Sequence, residues 1–101
     1  MRLAAVAALC VVMLPVATAC EDGAKARLTN GCAKPIWVRA ASPRDNLDNA
    51  PPEKVLPGRS TRLIVQGNDF WFAASPTRSV VGAPSRFHDG ERVAVTGDRC
   101  P

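Results

Sequence analysis

After its first two dozen residues the chain alternates apolar and polar positions in short runs divided by turn residues. No run sustains the 3.6-residue apolar period of a helix. Residues 24–29 alternate weakly and predict a first strand, and Asn30-Gly31 marks a turn after it. Ile36-Trp37-Val38 is the most strongly β-forming run, with Pro35 at its head, where a missing N–H is tolerated. In that run Ile36, Val38 and Ala40 point one way while Trp37 and Arg39 point the other. Bulk on both sides predicts a strand lying between the core and a partly covered surface. Residues 42–52, with Pro43, Asp45, Asn46, Asp48, Asn49, Pro51 and Pro52, predict a loop at the length where loops are functional or mobile.

The second half repeats the pattern. Residues 54–56 predict a short strand, Pro57-Gly58 a turn, and residues 61–66 a strand with Leu63 and Val65 on one side. Gly67-Asn68 fits a two-residue hairpin turn into residues 69–74, where Phe70 and Phe72 face together, opposite Trp71, and are the expected core. Residues 78–81 predict a short strand and residues 82–85 a loop. Asp89-Gly90 then fits a hairpin tip between residues 86–88 and 91–96, with Val93 and Val95 inward. These elements predict an all-β fold, a small antiparallel β-sandwich or barrel of about six or seven short strands.

The N-terminus changes the compartment. Arg2 supplies a positive start, residues 3–14 are apolar, Pro15 breaks the run and Ala17-Thr18-Ala19 is a small-x-small cleavage site, so residues 1–19 read as an export signal. The apolar run is shorter than the ~20 residues a membrane-spanning helix takes. What remains is a polar tether at residues 20–25 and one β-domain at residues 26–101. A domain this small sits near the lower limit for a core alone, so a covalent staple is expected, and export permits one.

Cys10 leaves with the signal, and Cys20, Cys32 and Cys100 remain, an odd number with three possible pairings. Val16-Ala17-Thr18-Ala19-Cys20 resembles a bacterial lipobox, although Ala17 stands where that pattern prefers Leu. Lipidation of Cys20 would anchor the protein to a membrane and leave Cys32 and Cys100 to form one disulfide. Cleavage without lipidation would leave Cys20 as a plain N-terminal thiol.

Residues 28–38 (LTNGCAKPIWV) resemble the opening of thaumatin-like proteins, with an Asn, a Cys two residues on and an aliphatic-Trp pair. The likeness continues through residues 56–60 (LPGRS) and extends to residues 70–73 (FWFA). It implies a β-sandwich in which the first cysteine bonds the last, here Cys32 and Cys100. That family is larger and richer in disulfides, and its acidic cleft has no visible counterpart here. The resemblance therefore implies no functional residues.

Charge and chemistry exclude more than they assign. Without Arg2, twelve basic residues face nine acidic ones and none of the basic residues form a run. The pattern suits solubility and gives no reason to expect nucleic acid as a partner. His88 is the one histidine, and no Gly-x-Ser-x-Gly elbow accompanies it. His88, Asp89 and Glu91 lack metal-ligand spacing, no Cys-x-x-Cys and no phosphate loop occurs, and neither metal nor cofactor is expected. Trp37 and Trp71 are the candidate binding surface, since tryptophan is favoured at binding hot spots; buried, they would be core. The sequence thus predicts an exported bacterial envelope protein, periplasmic and lipid-anchored or else secreted. Its expected role is non-catalytic recognition of a protein or glycan. The alternatives are a hydrolase inhibitor using the loop at residues 42–52, and a carbohydrate-active hydrolase using carboxylates such as Asp69, Asp89 or Glu91.

Overall fold

The computed structural model describes residues 23–101. The signal at residues 1–19 and the lipidation candidate Cys20 lie outside the described residues. In the first strand, β1 (Gly23–Asn30), Ala24, Ala26, Leu28 and Asn30 are buried and the residues between them turn outward. That is the period-two signature of a half-buried strand. It begins inside the expected tether, so residues 23–25 belong to the domain.

Six strands follow: β2 (Ile36–Ala41), β3 (Glu53–Val55), β4 (Ser60–Gln66), β5 (Trp71–Ser75), β6 (Pro84–Arg86) and β7 (Arg92–Val95). They form a three-stranded sheet, β4-β1-β7, and a four-stranded sheet, β3-β2-β5-β6. The all-β fold is as the alternation predicts. One core lies between the sheets, built from Leu28, Leu63, Val65, Val93 and Val95 on one side and Ile36, Val38, Val55, Phe72 and Phe87 on the other.

Two expected hairpins are not formed. β4 pairs with β1, while β5 pairs with β2 and β6, so Gly67-Asn68 carries the chain from one sheet to the other. Asp89-Gly90 likewise leads from β6 in one sheet to β7 in the other, with Gly90 at φ +81°. The dipeptides do supply tight reversals. Turn chemistry permits a reversal without specifying the layer the chain enters next, and both layers ask for the same alternation.

The sheets are not wholly antiparallel either. β7 runs parallel to β1, pairing Leu28 with Val93 and Asn30 with Val95. Residues 78–81 form no strand, whereas Pro84 opens β6. Proline argues against a strand in sequence, but β6 is an edge strand, where a missing N–H costs nothing.

The parallel pair explains the disulfide. β1 and β7 end at the same side of the sheet, so Cys32 and Cys100, just beyond those ends, are brought to a Cα separation of 5.8 Å and bonded. The bond closes a 68-residue separation, which chain-entropy reasoning values at roughly 4 kcal/mol. Asn30 anchors the same corner. Fully buried, its side-chain amide donates to the carbonyls of Lys34 and Val55, and its side-chain oxygen accepts from the Cys32 N–H. Read in sequence as a turn residue, Asn30 instead ties the end of β1 to β3 and to the disulfide.

Candidate functional site

Alternation along β2 and β5 sends Trp37, Arg39 and Ala41, with Trp71, Ala73 and Ser75, to the outer side of the four-stranded sheet. Both candidate tryptophans therefore stand on one face. Trp37 lies beside Ser75 and Trp71 beside Ala41, which places them about 14 Å apart across the sheet. Both are half-buried. This is neither the full burial of a core residue nor an open platform.

Each indole is flanked by two cations. Lys54 Nζ lies 5.9 Å and the Arg78 guanidinium 5.8 Å from the Trp37 ring centroid. Arg44 and Arg86 lie 5.5 and 5.2 Å from that of Trp71. The attraction of a cation to an aromatic face contributes about 0.5–1 kcal/mol at exposed sites. Arg86 also makes the one ion pair among the described residues, with Asp69 at 2.6 Å.

Arg39 sits between the tryptophans and holds a cover over half of the face. Its guanidinium donates to the carbonyls of Asp48 and Ala50 at 3.0 and 3.1 Å, to that of Arg78 at 2.8 Å, and more distantly to that of Leu47. The stretch expected as an open loop at residues 42–52 contains a 3₁₀ segment, Arg44–Asn49, pinned by these bonds and by buried Leu47. Leu47, Ala41 and Ala73 form a second small core outside the sheet, with Trp71, Ala50 and Val81 against it. Gly82 lets the opposite flank approach closely, since a Cβ there would lie 1.9 Å from the Ala74 carbonyl oxygen. The Trp71 indole N–H and Arg39 Nε are buried without a hydrogen-bond partner.

Between the 3₁₀ segment, Asp69 and the Gly82-to-Pro84 edge lies an open groove of about 560 Å³, with Arg44, Asp45 and Asp48 on its rim. Of the carboxylates considered for hydrolysis, Asp69 lines this groove. Asp89 and Glu91 do not, and they accept hydrogen bonds from the backbone N–H groups of Lys25 and His88. Among the described residues no group of three or more His, Cys, Asp or Glu side chains converges.

Sequence reasoning missed Arg39, Asn30 and Phe87. Phe87 is one of the largest fully buried side chains, and its ring packs 5.8 Å from Phe70 and 6.2 Å from Phe72. Phe72 is buried as expected, while Phe70 is only partly buried against the same cluster. Arg39 carried a signal, a lone arginine flanked by apolar residues in the strongest β run. No protein family, curated protein or solved structure matches the chain.

Proposed function

We propose that this protein is an exported, lipid-anchored envelope module that binds a protein or glycan without catalysis. The binding surface is the tryptophan face of the four-stranded sheet. The observation that carries the reading is the placement of Trp37 and Trp71 on one face, each between two cations. Half-buried indoles present a rigid apolar edge, and the flanking cations and backbone groups add polar recognition around it. The cations beside the indoles suit a carboxylate-bearing sugar or peptide laid across the tryptophans rather than into the groove, whose charged lining is Arg44, Asp45, Asp48 and Asp69. From the thaumatin-like resemblance the reading takes only the sandwich and the Cys32–Cys100 pairing.

The inhibitor reading needs residues 42–52 to stand out and insert, whereas Arg39 and Leu47 hold that segment down on the sheet. Of the carboxylates named for the hydrolase reading, Asp69 lines the groove and is paired with Arg86, while Asp89 and Glu91 lie outside it.

The chain has two tryptophans, so Trp37→Phe and Trp71→Phe each leave one fluorescent reporter. Titration with acidic envelope polysaccharides and with envelope extract should change the emission of at least one reporter. Trp37→Ala or Trp71→Ala should weaken binding roughly tenfold or more, the effect of losing a hot-spot aromatic. Unchanged emission throughout, with both alanine variants capturing the same material as the parent chain, would remove the proposal.

A further inference from the structure

The outer side of the three-stranded sheet carries a different arrangement. In β1 the outward residues are Gly23, Lys25, Arg27 and Thr29. Register places Arg62 of β4 directly beside Arg27 on one flank and Arg92 of β7 beside it on the other. Three arginines thus form a row straight across the sheet, with neighbouring Cβ atoms about 5 Å apart. One step along, Lys25 pairs with Ile64, which is 60% exposed. The remaining outward positions of these strands are Ser60, Gln66 and Ala94, and no carboxylate stands among them. Like charges directly opposite destabilise a sheet. The guanidinium groups of Arg27, Arg62 and Arg92 make no ion pair, hydrogen bond or ring contact with the described residues, unlike the arginines of the other face.

We propose that this arginine row, with Lys25 and Ile64, is a membrane-docking face that lies against anionic phospholipid headgroups. Charge complementarity calls for an extended anionic partner, because the three arginines stand side by side on the outer side of one sheet, each on a different strand. The position of the chain's start selects a bilayer over a soluble polyanion, a choice that rests on the lipid-anchor reading. Cys20 is three residues from Gly23, so the anchor lies within about 10 Å of the first residue of the sheet's central strand. Arg27 is four residues further along that strand, about 13 Å. An anchored chain holds this sheet close to the headgroup layer, where each guanidinium gains from the anionic surface potential and Ile64 meets the boundary of the acyl region. The tryptophan face, on the opposite side of the sandwich, is then turned toward the envelope space.

The test uses the chain from Glu21 onward, without lipid, since residues 23–101 contain all seven strands and the disulfide. It is sedimented with vesicles of phosphatidylcholine alone, or of phosphatidylcholine mixed with phosphatidylglycerol. The parent chain should bind the anionic vesicles only, and less as salt rises. R27Q/R62Q/R92Q should lose about a hundredfold in affinity, the combined effect of three surface cations, while melting at the same or a higher temperature. W37A/W71A should bind the vesicles like the parent. Equal binding by the triple variant and the parent overturns the proposal. So does a parent chain that binds soluble polyphosphate but not anionic vesicles. The intact mass of membrane-extracted protein tests the anchor separately. An unmodified Cys20 beside vesicle binding that depends on the arginine row removes the anchor and keeps the face, whereas lipid on Cys20 beside binding that does not depend on the row removes the face and keeps the anchor.

Discussion

The two outer faces of this sandwich use the same residue type in opposite ways. On the four-stranded sheet the arginines are engaged: Arg39 with backbone carbonyls, Arg44 and Arg78 with indole rings, Arg86 with a ring and a carboxylate. On the three-stranded sheet Arg27, Arg62 and Arg92 stand side by side, and no acceptor or ring among the described residues meets their guanidinium groups. The first face is partly covered by a 3₁₀ segment and holds its own small core; the second has no such cover among the described residues. Charge on the first face organises the chain, because each cation there meets an acceptor or a π face. Charge on the second meets like charge in register, which costs the sheet stability.

The sharpest way to break the contrast is to remove what the two faces share. Phe87 lies between the sheets with Phe70 and Phe72 around it. Phe87→Ala should cost about 3–5 kcal/mol, and hydrogen exchange should accelerate in both sheets together. Acceleration confined to one sheet would show that they are not one cooperative unit. A smaller change should affect the covered face alone. Arg39→Ala strips the carbonyls of Asp48, Ala50 and Arg78 of their charged donor, and a loss of about 2–3 kcal/mol is expected in denaturant unfolding, with red-shifted Trp71 emission. Arg39→Lys should not restore it, because an ammonium does not reproduce the planar fork. An unchanged unfolding midpoint would mean that Leu47 alone holds the cover. The smallest effect has the opposite sign. Arg27→Gln removes both repulsions in the row and should raise Tm by about 2–6 °C at low salt, a gain that shrinks as salt is added. A fall in Tm would show that Arg27 has a stabilising role in the fold.

Much of this was legible in the chain because burial in a sheet leaves a local trace. Leu63 with Val65 and Val93 with Val95 announced a shared side by spacing alone, and each is buried; spacing also paired Ile36 with Val38, but bulk on both sides of that run left its inward side open. Other features left no such trace. Pro84 concealed β6 because the residue that weakens an interior strand is harmless at an edge. Phe87 sat in what read as a hairpin arm, and only the approach of β5 and β6 packs it against Phe70 and Phe72. Gly67-Asn68 and Asp89-Gly90 were correctly reversals and wrongly hairpins. The tryptophan face was half legible: spacing put Trp37 opposite Ile36 and Val38, but its relation to Trp71 depended on the β2–β5 register.

The sequence by itself determined the all-β class, the inward side of β4, β5 and β7 and the turn positions, since these follow from interactions between residues close along the chain. Pairing was decided by the tertiary structure alone, because strands of equal period can join in many registers. Closing β7 against β1 in parallel is what brings Cys32 to Cys100, and it is also what aligns Arg92 with Arg27 and Arg62. Residues 27, 62 and 92 carry no mark of one another in the sequence. They become neighbours only when the first strand takes the fourth and the seventh to its sides.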